Sequence, residues 1–184
     1  MILENCLLHY ASPTLLGRKM ASLFSLKKEA FFQNDFLIIG KSLEKHGLKM
    51  IILREDPYQL LVYVFREKSL LQLLNKNEVV DFLQKEGYQD FSPSYCLHKL
   101  KESLQAGVFP HEIGVFLDYP LEDVKGFIEN KGKNWKYCGC WKVYKDPQYC
   151  KKLFASYEAC KKECLQKYQL GCRLEECICD KEDL

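Results

Sequence analysis

The sequence predicts an α+β fold: a small, mostly antiparallel sheet of about four strands, a helical subdomain and a long C-terminal helix. Three observations carry this. The apolar runs LKMIIL and LLVYVF flank the turn signal REDPYQ and read as a β-hairpin. Beyond Lys68 the apolar spacing turns helical, in several segments bounded by caps and glycines. From Asp146, DPQYCKKLFASYEACKKECLQKYQ holds helical spacing throughout.

The elements follow in order. KMASLFSL (Lys19 to Leu26) reads as a strand leaving a loop that holds Pro13 and Gly17. Lys27 to Gly47 reads as a helix, with Phe32, Phe36, Ile39 and Leu43 three and four apart and Gly47 as C-cap. The hairpin comes next, then a short helix over Ser69 to Leu74. Asn77 is the expected N-cap of EVVDFLQKEG. Ser92 caps a helix with Pro93 at its first position and Gly107 at its end. FPHEIGVFLDYPLEDVKGFIENKG, residues 109–132, reads as a helical hairpin broken at Tyr119-Pro120. KYCGCWKVY (Lys136 to Tyr144) is the fourth strand candidate. Asp146 then caps the long helix, with Pro147 next. With 184 residues and 47% apolar content, the chain suits one domain, 1–171, followed by a polar, cysteine-bearing tail, 172–184.

Charge and leader signals narrow the setting. A net charge of +2 does not point to nucleic acid or membrane through bulk electrostatics. The start lacks a basic n-region ahead of a long apolar core, and no apolar run reaches the ~20 residues of a membrane helix. A cytoplasmic protein without a membrane partner is expected. Ten cysteines in that compartment are thiols, metal ligands or redox groups.

Four groups of residues carry candidate chemistry. SPTLLGRKMASLF sets Thr14, Lys19 and Ser22 around Gly17, an anion cradle of amides, hydroxyls and a cation, although its spacing is not that of a Walker loop. The competing reading is an ordered N-terminal loop. In the 109–132 segment, Ile113, Gly114, Leu117, Val124 and Phe127 suit helix-turn-helix packing, with Asp118 at the position that needs positive φ. Its second helix sets Glu122, Asp123 and Glu129 against Lys125, the wrong charge for a major groove, so a packed hairpin is favoured over DNA reading. Acidic residues there suit the helix dipole. His111 and Glu112 are adjacent and point about 100° apart on a helix, which favours capping over an acid–base pair. With Tyr119 they are expected to border a pocket.

The third group is the basic, aromatic stretch from Lys131 to Arg173, with eleven basic residues against Asp146, Glu158 and Glu163. Trp141 and Tyr144 are its candidate ligand contacts. Single-stranded nucleic acid binds such surfaces by phosphate pairing and stacking, but a core stripe with outward lysines fits the same spacing. The fourth is a set of thiols: Cys138, Cys160, Cys164, Cys172, Cys177 and Cys179. Four of them could enclose zinc or an iron–sulfur cluster, although no CxxC is present and buried free cysteine is common.

Three stretches in order, SPTLLGRKMASLF, FPHEIGVFLDYPLEDVKGFIENKG and CGCWKVYKDP, resemble a bacterial domain-of-unknown-function family (DUF3793-like) found mainly in anaerobes. The resemblance runs from about Cys6 to about Tyr168. It implies a cytoplasmic single-domain protein and supplies no reaction. Asp118 stands where such proteins usually have glycine, and Cys140 where an aromatic is usual.

The sequence therefore favours a non-enzymatic binding or regulatory protein for an anionic or metal-associated ligand. A nucleic-acid-associated protein is the second reading and a thiol- or metal-dependent redox enzyme the third.

Overall fold

The computed structural model describes residues 2–179. Three strands form the main sheet: β1 (Ala21–Lys27), β2 (Leu48–Glu55) and β3 (Gln59–Arg66), in the order β1-β3-β2 with both pairings antiparallel. The β2–β3 turn is built as its residues suggest. The Asp56 carboxylate accepts the amides of Tyr58 and Gln59, each at 2.9 Å.

The run LLVYVF explains the layering. Leu60, Val62 and Val64 face one apolar cluster, and Leu61, Tyr63 and Phe65 face another. A central strand with two buried faces reads as continuous apolar sequence. On the first face lie α1 (Ile2–Tyr10), α2 (Ser12–Leu15), α3 (Gln33–Glu44) and the C-terminal half of α9 (Pro147–Gln169). The second face is covered by α4 (Glu67–Leu74), α5 (Asn77–Lys85), α6 (Pro93–Gln105), α7 (Ile113–Phe116) and α8 (Leu121–Glu129). The α+β class stands, with a long C-terminal helix.

Several elements differ from expectation. The fourth strand candidate is a separate two-stranded hairpin, β4 (Tyr137–Cys138) with β5 (Lys142–Val143), folded back at Gly139 rather than added to the sheet. The loop expected around Pro13 and Gly17 holds α2, and a further helix, α1, precedes it; their Leu3, Leu7, Leu8 and Leu15 are buried. The helix expected from Lys27 begins only at Gln33, because β1 runs to Lys27 and a 3-10 turn occupies Lys28–Ala30. Lys76, not Asn77, caps α5. The cysteine-bearing tail is not wholly polar: a 3-10 turn at Leu174–Cys177 buries Leu174 and Cys177 against the first-face cluster. Residues 180–184 of that expected tail lie outside the described residues.

Other caps form as their residues predict. The Asp146 carboxylate accepts the amides of Gln148 and Tyr149 at 3.0 Å, and Ser92 accepts from the Tyr95 amide. Asp118 adopts φ 63° in the turn between α7 and α8.

The α8–β5 contact is close because residue 126 has no side chain. A Cβ there would sit 2.6 Å and 2.7 Å from Cγ and Cβ of Tyr144. Gly126→Ala is expected to lower unfolding free energy by about 1–3 kcal/mol through overpacking. Urea unfolding would show it, and an unchanged midpoint would contradict this account of the contact.

Candidate functional site

The three sequence motifs converge on one side chain, Tyr119. Lys19, from the first motif, donates from Nζ to the Tyr119 hydroxyl at 3.3 Å and lies 4.4 Å from the ring centroid. Tyr119 itself follows the left-handed turn of the second motif. Trp141, from the third, stacks on Tyr119 with centroids 4.8 Å apart and planes 19° from parallel. The Tyr119 hydroxyl donates onward to the Cys140 carbonyl at 3.3 Å.

Each part has a local cause. Gly17 takes φ 70°, which turns the chain from α2 toward β1 and delivers Lys19 to the interior. Asp118 fastens the hairpin turn to the same place, because its carboxylate accepts the Met20 amide at 2.9 Å. Gly114 lets Trp141 lie against α7, since a Cβ there would fall 2.8 Å from the indole ring. At the end of α7, the Phe116 carbonyl accepts the hydroxyl of fully buried Tyr63 at 2.6 Å. The buried carboxylate of Asp123 accepts the amides of Tyr144 and Lys145 at 2.7 and 2.8 Å and the Cys150 thiol at 3.3 Å. It thereby ties the end of β5 and the start of α9 to α8.

Lys19 is only 9% exposed, and no carboxylate among the described residues lies within ion-pair distance of its Nζ. Burial lowers its pKa from 10.5 to about 8, against the opposing pull of Cys140 and Asp118. The faces of Tyr119 and Tyr157, the latter 5.3 Å away, give the ammonium partial compensation. Burial raises the Asp118 carboxyl, although the Met20 amide, Lys19 and Lys76 pull the other way. Burial likewise pushes the Tyr119 phenol up, so it stays protonated.

Lys19, Tyr119 and Tyr157 stand between two clefts. The larger, about 470 Å³, opens between the α2–β1 loop, α4, the α7–α8 turn and α9. Its cations are Arg18, Lys19, Arg66 and Lys76, and its acids Glu78 and Asp118. Ser69, Gln72 and Tyr149 add neutral polar groups. The smaller cleft, about 240 Å³, includes Ser22, Cys140, Glu158 and Lys161. Arg66 has a second task. Its guanidinium donates to the carbonyls of Thr14, Leu15 and Cys179, which ties α2 and the C-terminal segment to the end of β3.

The expected site residues divide. Gly17, Lys19 and Tyr119 line the larger cleft, and Trp141 supports it from behind Tyr119. Ser22 reaches the smaller cleft, but its hydroxyl meets the equally buried Thr14 hydroxyl at 2.8 Å, so this pair is an internal brace rather than an open cradle. His111 and Glu112 border neither cleft. His111 packs edge-on to Phe127 at 5.2 Å, and buried Glu112 accepts the Tyr88 hydroxyl at 3.1 Å. Tyr144 packs on Gly126, and its buried hydroxyl has no partner among the described residues.

The thiols disperse. Among the described residues no three His, Cys, Asp or Glu side chains gather in a metal-holding group. Cys138 is exposed on β4, and Cys160 is buried on α9 with its thiol raised by burial. Cys164 and Cys177 face each other and donate to one another's carbonyls, with burial raising the Cys177 thiol to about 11. The Cys172 thiol is raised chiefly by its hydrogen bond to Glu176. Cys179 uses its amide on the Leu15 carbonyl. Helical spacing keeps Cys160 near Cys164, but among the described residues the chain does not collect four thiols.

Arg66, Lys76 and Tyr157 were not found as site residues from sequence. They lie far along the chain from Lys19, and Tyr157 has the spacing of an ordinary core residue. No helix among the described residues is long and apolar enough to cross a membrane. No curated protein and no solved structure matches the chain. The model of one family, described as "Protein of unknown function (DUF3793)", matches residues 7–178 and so takes in all three converging motifs and the 3-10 turn after α9; the chain belongs to that family.

Proposed function

We propose that the protein is a cytoplasmic, non-enzymatic binding or regulatory protein whose ligand is a small anion seated in the larger cleft over Lys19. The observation that carries this reading is a nine-tenths-buried ammonium without a carboxylate partner among the described residues, set where the three motifs meet. A buried cation is costly unless an opposite charge completes it. Arg18 and Lys76 at the rim add attraction for an anion, and a cleft of about 470 Å³ is of small-ligand size. The metal-associated form of that ligand finds no donor cluster among the described thiols.

The nucleic-acid reading has weaker support. In the basic third, Tyr137, Trp141, Phe154 and Tyr157 pack among themselves and with Tyr119, which leaves few faces for bases. α7 is a single turn, and Asp123 of α8 is committed to internal hydrogen bonds.

Inorganic phosphate tests the anion reading. Calorimetry and thermal unfolding should show saturable stabilisation by phosphate that weakens as salt rises. The stabilisation should fall severalfold in the double variant Arg18→Ser, Lys76→Ser. Absence of any saturable phosphate effect at low salt would end the proposal.

A further inference from the structure

The cleft holds an amine of unusual setting as well as a positive charge. Lys19 Nζ sits at the boundary of two clefts, is supported on aromatic faces and is hydrogen-bonded to a tyrosine hydroxyl rather than a carboxylate. An ammonium tied to a carboxylate is held protonated, whereas one that burial strips of water gives up its proton more readily and becomes a nucleophile. Among the described residues, the titratable and charged groups of the two clefts around it come from every neighbouring element. Asp118 and Tyr119 come from the α7–α8 turn, Cys140 from the β4–β5 hairpin, and Tyr149, Tyr157, Glu158 and Lys161 from α9. His9 and Tyr10 come from α1, Arg66 from the end of β3, and Arg18, Lys76 and Glu78 from the rest of the larger cleft.

We infer that Lys19 captures its ligand covalently and reversibly as an imine, and that the ligand class is a small carbonyl compound bearing an anionic group. This deepens the anion-binding reading and rests on it. The cations at the rim would hold the anionic group while the carbonyl carbon meets Nζ.

The chemistry balances without an oxidant. The neutral amine's lone pair adds to the carbonyl carbon, forming a C–N bond, and the C=O π pair moves to oxygen. One nitrogen proton passes to that oxygen to give a carbinolamine. Loss of water, which takes the second nitrogen proton and the C–O bond, leaves the imine. One amine and one carbonyl compound thus become one imine and one water. The Tyr119 hydroxyl, 3.3 Å from Nζ, is placed to hold the amine's orientation, and its partner Cys140 carbonyl fixes its own proton.

Support also comes from the lowered lysine pKa of about 8, at which half the amine is unprotonated, while an ordinary exposed lysine is almost wholly charged. The test uses glyoxylate as the anionic aldehyde and acetaldehyde as its uncharged counterpart. Each is incubated with the full chain and cyanoborohydride near pH 8, and adducts are located by peptide mass mapping. Glyoxylate should label Lys19 on the order of tenfold faster than exposed lysines such as Lys27. Acetaldehyde should show much less preference for Lys19. Inorganic phosphate should slow the glyoxylate reaction at Lys19 alone, and Lys19→Arg should remove that adduct.

Labelling of Lys19 no faster than Lys27 overturns the inference, even if phosphate binds by calorimetry, in which case the anion-binding reading survives alone. Equal preference for acetaldehyde, unaffected by phosphate, overturns the anionic class of ligand. The wild-type labelling map decides the matter without any variant having to fold.

Discussion

Asp123→Ala is expected to lower the unfolding free energy by about 2–4 kcal/mol, a large part of the 5–15 kcal/mol typical of a domain. The 1% exposed carboxylate is the acceptor for two backbone amides just after β5 and a thiol of α9. Bonds to a charged acceptor are stronger than neutral ones, and a methyl group would leave the three donors without it. Asp123→Asn keeps one oxygen in place and should cost roughly half as much. Urea unfolding of both variants measures the difference. Because Asp123 anchors the residues just after Trp141, the alanine variant should also lose near-UV dichroism from the Tyr119–Trp141 stack. An Asp123→Ala protein within about 0.5 kcal/mol of wild type would refute this role.

The second large effect concerns Lys19 and runs in the opposite direction. Lys19→Met should stabilise the protein by about 1–3 kcal/mol at pH 7, since a pKa lowered from 10.5 to about 8 means that burial penalises the charged form. The pH dependence follows from proton counts. Between about pH 8 and 10.5 the unfolded chain keeps the Lys19 proton and the folded chain has released it. Wild-type stability therefore gains from this group as pH rises through that window. The methionine variant lacks that gain, so its advantage should shrink toward zero above pH 10.5. Cysteines whose thiols are raised by burial, Cys150 to about 12 among them, lose stability over similar pH values, but they are common to both proteins and cancel in the difference. The same variant should lose the phosphate response. A variant that is more stable and does not bind is the signature of a residue kept for function. Lower stability of Lys19→Met at pH 7 would show the lysine to be structural.

Much of the scaffold was legible because its causes are local. The run LLVYVF announces a strand buried on both faces, Asp56-Pro57 a turn, and Ser92-Pro93 and Asp146-Pro147 helix starts. Helix α2 is hidden in the sequence because its stretch carries Pro13 and Gly17, which read as loop chemistry. KYCGCWKVY alternates as a strand should, yet Gly139 folds it on itself, and periodicity alone cannot tell a strand from a hairpin of two short ones. Within the site, Lys19, Tyr119 and Trp141 were visible as unusual residues in three motifs, but their meeting was not. Asp118 was visible only as a turn residue and Asp123 only as a helix-dipole acid. Their capture of the Met20, Tyr144 and Lys145 amides depends on elements distant in sequence. Thr14 and Ser22 show the converse. Hydroxyls that looked like ligand contacts satisfy one another across eight residues.

The contacts that close the cleft are among the longest loops in the chain. Lys19 and Tyr119 are 100 residues apart, and Met20 and Asp118 are 98 apart. Such contacts carry a loop-closure cost in entropy, which the intervening sheet and helices reduce by holding their ends together. During synthesis the larger cleft stays incomplete until α9 has emerged, because Tyr149 and Tyr157 line it too. An early fragment of the chain would hold the lysine without its pocket. Any molecule that settles on Lys19 would then act as a clasp on the whole chain, slowing its global opening rather than stiffening a single loop.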